Sequence, residues 1–130
     1  MNRTFSKEER LCNRRLISQL FTTGQTFYLK PFRVTWMTVP SGLPSPVQVM
    51  MSVPKYNFRK AVHRNLIRRR MREAYRLNKQ PLYDQIAGKG HHLVFGIAYT
   101  AKEIVEFDLI QAKIILLLQR LIDANEKVTG

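Results

Sequence analysis

This 130-residue sequence is poor in acid: nine Asp and Glu stand against 22 Lys and Arg, a formal charge of +13. It has one cysteine, Cys12, which excludes an internal disulfide and a cysteine-built zinc site and fits a reducing compartment. With no evident His or Asn partner, Cys12 is expected to pack as a small apolar residue. No unbroken aliphatic run exceeds Ile114–Leu118, far short of the ~20 residues of a membrane span. The charged stretch Met1–Arg10 has no apolar segment behind it, so a signal peptide is not expected. A cytoplasmic protein without a membrane partner is the expectation. There is no glycine-rich phosphate loop, and Asp84, Asp108 and Asp123 are scattered, whereas metal-assisted phosphodiester cleavage gathers several carboxylates around its ions. His91 and His92 are adjacent on an expected strand, point to opposite faces and cannot share a metal. His63, next to Arg64, suits a phosphate or surface contact. No catalytic residue, and no metal or cofactor held by the protein alone, is expected.

What the chain does have is apolar surface, 45% hydrophobic and 10% aromatic residues, enough for one folded domain over 1–130. Its charge is concentrated. Lys55, Arg59, Lys60, Arg64, Arg68, Arg69, Arg70, Arg72, Arg76 and Lys79 lie close together, opposed by Glu73 alone. Such a focus on a foldable chain calls for a polyanion, nucleic acid first. Ala61 to Asn78 holds no Gly or Pro and is rich in good helix formers, which predicts a helix capped by Asn57 after the break at Pro54. At about 100° per residue, Arg64, Asn65, Arg68, Arg69, Arg72 and Arg76 share an arc of roughly 140°. Leu66, Ile67, Met71, Ala74 and Leu77 fill the opposite arc, with Arg70 snorkelling at its edge. Arginine at 64, 68, 72 and 76 is a self-repelling ladder in isolation, and a polyphosphate reverses the sign of that term.

Ser6 and Glu9 have capping-box spacing, opening a helix through Leu11, Leu16, Ile17, Leu20 and Phe21 that stops at Thr22-Thr23-Gly24. Thr26–Thr38 reads as a strand, with Pro31 marking an irregular start or an edge. Pro40–Pro46 connects it to a second strand, Val47–Val53, paired with the first as a hairpin. After the basic helix come a strand, His92–Ala98, and an amphipathic helix, Phe107–Ala124. The fold class is α+β with a small mixed sheet. If its strands are parallel, the strand–helix–strand unit ordinarily crosses over right-handedly. An arginine stripe suits phosphates more than base edges, and no short helix precedes it to make a helix-turn-helix. RNA is favoured, with Phe21, Phe27, Tyr28, Phe32 and Trp36 mostly core and some stacking on unpaired bases.

The segment Ser52-Val53-Pro54-Lys55 through Ala61-Val62-His63-Arg64-Asn65-Leu66-Ile67-Arg68-Arg69-Arg70-Met71-Arg72-Glu73-Ala74-Tyr75-Arg76 resembles the signature of the bacterial ribonuclease P protein subunit. Leu20, Phe21 and Gly24 resemble the family's end to the first helix. The resemblance implies a ribonuclease P protein-like fold, α+β with a small mixed four-stranded sheet and a left-handed crossover. It implies two partners: the ribonuclease P catalytic RNA, which does the chemistry with Mg2+, and precursor transfer RNA, whose 5′ leader is removed. No obligate protein partner is evident. By position, Lys55, Arg64, Asn65, Arg68, Arg69 and Arg72 are the RNA-binding residues, joined by Arg76 on the same arc. Phe21, Arg33 and Thr35 line the leader cleft. Four positions depart from the family. Leu66 replaces a third basic residue, for which Arg70 is the candidate substitute. Ile17 occupies a cleft position that is often aromatic, and Phe58 and Arg59 stand where a Gly is common. A ribosome-associated structural RNA-binding protein shares every compositional feature, and only the Arg-Asn helix signature separates the two.

Overall fold

The computed structural model describes residues 4–129, and its first helix opens at Asn13, not at Ser6. The capping box does form: the Glu9 carboxylate accepts from Ser6 N–H at 2.6 Å and from Ser6 Oγ at 2.9 Å. It closes only a 3₁₀ turn, Lys7–Glu9. The chain then runs extended, Leu11 N–H donating to the Val49 carbonyl at 2.9 Å. It restarts as α1 (Arg14–Thr23), with Asn13 Oδ1 accepting from the N–H groups of Arg15 and Leu16. Extended backbone alternates its side chains, so Leu11 is buried and Cys12 is exposed, against the packing expected for that thiol. At the end of α1, Gly24 N–H donates to the Leu20 carbonyl at 2.8 Å. Close approach demands this glycine: its φ is an ordinary −72°, but a Cβ would stand 2.4 Å from that carbonyl oxygen.

Thr26–Thr38, expected as one strand, is two. β1 (Gln25–Leu29) and β2 (Phe32–Pro40) form an antiparallel hairpin about Lys30-Pro31. Pro31 has no N–H to carry a ladder onward, so the run breaks there. β3 (Val47–Ser52), expected to form a hairpin with β2, does not pair with it. It pairs in parallel with β4 (His91–Tyr99), which is antiparallel to β2, giving the order β1-β2-β4-β3. Leu93 through Ile97 of β4 is a continuous buried run, the pattern of a strand covered on both faces and hence central. The Pro-rich connection over 41–46 is no tight hairpin turn, and it steps across the ~10 Å that one intervening strand occupies. The mixed four-stranded α+β sheet itself is as expected.

One sheet face carries the main core: Val34, Trp36, Val49, Phe95 and Ile97 pack against α2 (Ala61–Asn78) and α4 (Phe107–Thr129). On the other face α1 covers one end only, Leu20 packing with Met37, Val39 and Val94. The end around Arg33, Ser52 and Ala98 stays open to solvent.

The basic helix has the expected span, but its N-cap is Lys60, three residues after Asn57. Phe58 is the reason. Its ring is buried against Tyr99, 5.9 Å between centroids, and the chain cannot turn helical until that side chain is seated. The buried side of α2 is Ile67, Met71, Ala74 and Tyr75, whereas Leu77 is exposed and Leu66 half-buried. A further helix, α3 (Gln80–Ala87), follows α2 and is not among the expected elements. It begins with Pro81 in its first turn and buries Leu82 and Ile86.

Candidate nucleic-acid interface

Helical pitch sets Asn65, Arg68, Arg69 and Arg72 along one side of α2. They line an open groove of about 530 Å3, together with Phe5, Arg10, Glu73 and Arg76. Arg68 donates to Asn65 Oδ1, one turn back. Burial first, and then the neighbouring charges of Arg10 and Arg68, lower the pKa of Arg72 below the ordinary arginine value. Guanidinium groups stay protonated regardless, so the groove is rich in positive charge, and among the described residues no carboxylate forms an ion pair with Arg68, Arg69 or Arg72.

The other expected RNA contacts divide. Arg76 lines the groove, but Glu73 accepts from its Nε at 3.1 Å and from its Nη2, which lowers the glutamate pKa and raises the arginine's. Arg64 is turned back: Nη1 donates to the carbonyls of Phe58 at 2.7 Å and Arg59 at 3.0 Å, holding the turn before α2. Lys55 is exposed in that turn, outside the groove lining. Arg70 Nη1 donates to the Val105 carbonyl at 2.8 Å. It ties α2 to the segment before α4. Lys79, counted with the basic focus, is buried and ion-paired with Glu9. Reading the sequence missed Arg10 and Phe5, because nothing local places an N-terminal arginine against a helix more than fifty residues away.

The open end of the sheet forms the second feature. Phe21, Arg33 and Thr35, the expected cleft residues, come together around a shallow depression with Met50, Ser52 and Gly96. The register explains this: Thr35, Gly96 and Met50 make one row across three strands, and Arg33, Ala98 and Ser52 the next. Gly96 keeps the floor low, since a Cβ there would sit 3.2 Å from Met50 Cγ and 3.6 Å from Phe21 Cζ. Phe21 of α1 (54%) and Tyr28 of β1 (70%) are exposed, while Phe32 and Trp36 belong to the main core. Phe27 lies beneath the Arg120 guanidinium at 4.4 Å. Ile17 packs half-buried against the small core.

Among the described residues no three His, Cys, Asp or Glu come together as metal ligands would. No described helix is long and apolar enough to cross a membrane. The ribonuclease P family model matches residues 5–122. The chain belongs to the ribonuclease P protein family. The ribonuclease P protein component of Porphyromonas gingivalis is 33% identical over 106 residues, covering 82% of this chain and 77% of that protein. That of Chlorobium phaeobacteroides is 36% identical over 126 residues, covering 88% and 86%. The solved RNase P protein from Thermotoga maritima shares the fold with a TM-score of 0.66 at 25% identity, over 86% of this chain and 96% of that one. Ribonuclease P protein is the protein component of an RNA-containing endoribonuclease whose family function is maturation of the transfer RNA 5′ end. Both the arginine groove and the aromatic depression lie within the span that matches the ribonuclease P family.

Proposed function

We propose that this chain docks the catalytic RNA of ribonuclease P in the α2 groove and lays the 5′ leader of precursor transfer RNA across the open end of the sheet. The observation that carries the reading is the groove, where Arg68, Arg69 and Arg72 converge without a described carboxylate partner. RNA phosphates turn that mutual repulsion into charge-assisted hydrogen bonds, each worth about 1.5–3 kcal/mol. The depression offers different chemistry. Phe21 and Tyr28 present ring faces on which unpaired bases stack, and Arg33 stands beside them for a phosphate. Thr35 is buried and shares a 3.2 Å hydrogen bond with Thr26, so it shapes the floor instead of reaching outward. In this reading hydrolysis is left to the RNA and its Mg2+, and the chain's own part is to bind and orient. The same reading puts the protein in the cytoplasm, with its transfer RNA precursors.

Reconstitution tests this reading. Adding the chain to the catalytic RNA of the same organism is expected to restore precursor cleavage at low Mg2+. The Arg68→Ala/Arg69→Ala/Arg72→Ala triple variant is expected to lose that rescue. Failure of the unaltered chain to rescue would overturn the assignment.

A further inference from the structure

The arginine groove has two walls, and only one of them is helical. We infer that Phe5 and Arg10, carried by the N-terminal strap, form the second RNA-binding wall, with Arg10 gripping the same RNA phosphate as Arg72. This rests on α2 being the RNA-binding face. Arg10 and Phe5 line the groove opposite residues they could never meet by sequence proximity.

The strap is anchored at every level. Glu9 is buried, ion-paired with Lys79 at the α2–α3 junction, and accepts from the Tyr83 hydroxyl at 2.7 Å. Gln48 Nε2 donates to the Glu8 carbonyl at 2.9 Å, and Leu11 N–H is bound to Val49. Phe5 stands edge-on to the buried Tyr75, 5.5 Å between centroids, and the Arg10 guanidinium lies over the Phe5 ring at 5.3 Å. Arg10 is therefore exposed but held by a fixed backbone and an aromatic platform.

That arrangement is unfavourable by itself. It carries one guanidinium toward Arg72 and Arg68, and like charges close together repel. The carboxylate lining the groove, Glu73, is engaged by Arg76. An anion seated between Arg10 and Arg72 changes the sign of the interaction, and the strap that carries Arg10 is already held in place, so less ordering opposes binding. Continuity with Asn65, Arg68 and Arg69 along α2 favours a chain of phosphates over a single free anion.

Direct titration of the catalytic RNA with Arg10→Ala, Arg72→Ala, the double variant and Lys7→Ala separates the possibilities. Lys7 is an exposed strap cation outside the groove. Arg10→Ala is expected to weaken binding about tenfold, the lower end for a charged contact. It should also reduce the salt slope by ~0.7–0.9, one phosphate's share. With Arg72 already removed, the same change should weaken binding by less than about threefold, because the shared phosphate is already lost. Lys7→Ala should change affinity by less than about twofold, as surface substitutions usually do. If Arg72→Ala weakens binding and Arg10→Ala does not, the second wall is refuted while the α2 reading stands. If neither does, both readings fail together. Fully multiplicative losses would mean separate phosphates, and an equal loss from Lys7→Ala would mean general charge; either outcome overturns the shared contact. Unchanged urea unfolding of Arg10→Ala shows that its loss of affinity is local.

Discussion

Charge alone does not tell which cations of this protein meet RNA. Lys79 and Arg64 belong to the basic cluster in sequence, yet one is buried against Glu9 and the other holds two backbone carbonyls. Removing Lys79 leaves Glu9 buried without its counter-ion, so Lys79→Met is expected to lose about 3–5 kcal/mol in urea unfolding at neutral pH. Burial pushes the Glu9 pKa up, but hydrogen bonds from Lys79, Ser6 and Tyr83 outweigh it and leave the value below the ordinary 4.5. The stabilisation is thus complete above 4.5 and lost as pH falls through the lowered folded value. The gap between the native protein and Lys79→Met should therefore narrow on acidification, and a gap that widens would contradict the assignment. Arg64 and Arg69 form a second contrast. Arg64→Ala is expected to cost about 1–3 kcal/mol of stability through its lost hydrogen bonds, and Arg69→Ala to stay within about 0.5 kcal/mol. Thermal melts of the two variants decide between a structural arginine and a ligand-facing one.

Helices and strands divide the labour between the two candidate surfaces. α2 offers its polar side as a cation row because Ile67, Met71, Ala74 and Tyr75 anchor the other side in the main core. α1 is too short to cover its face of the sheet, and the uncovered end becomes the depression beside Phe21. Gly96 belongs to a central strand, and a Cβ there would face Met50, Phe21 and Leu20, on the α1 side of the sheet. Gly96→Val would fill the space between Met50 and Phe21. It is expected to weaken binding of a single-stranded oligoribonucleotide by at least about 1 kcal/mol, the lower end of one stacked base. Affinity for the catalytic RNA should remain unaltered, so equal losses for both RNAs would show that the depression is not a separate site.

Over the molecule as a whole, a charge of +13 on 130 residues makes association strongly dependent on salt. The logarithm of the RNA affinity is expected to fall linearly with the logarithm of salt, by about 0.7–0.9 for each phosphate neutralised. The Arg68→Ala/Arg69→Ala/Arg72→Ala variant should flatten that line by about two units. An unchanged slope would mean that the excess charge of the chain, and not this groove, attracts the RNA.

Much of this was written in the chain by itself. The arginine helix, its span and its polarity follow from helical pitch and from the lack of Gly and Pro, both local properties. Charge concentration followed from the positions of the basic residues, and the expectation that Phe21, Arg33 and Thr35 share one surface from resemblance to the family. Tertiary structure alone decided the rest. Strand order depends on which strand is buried on both faces, so β3 joined β4 instead of β2. Phe58 had to reach the core before α2 began, which moved its cap to Lys60. The split of the cations into surface and interior, and the arrival of Arg10 opposite Arg72, depend on residues distant in sequence meeting in space. Local patterns report periodicity and charge; they carry no record of which far-off partner a side chain will meet.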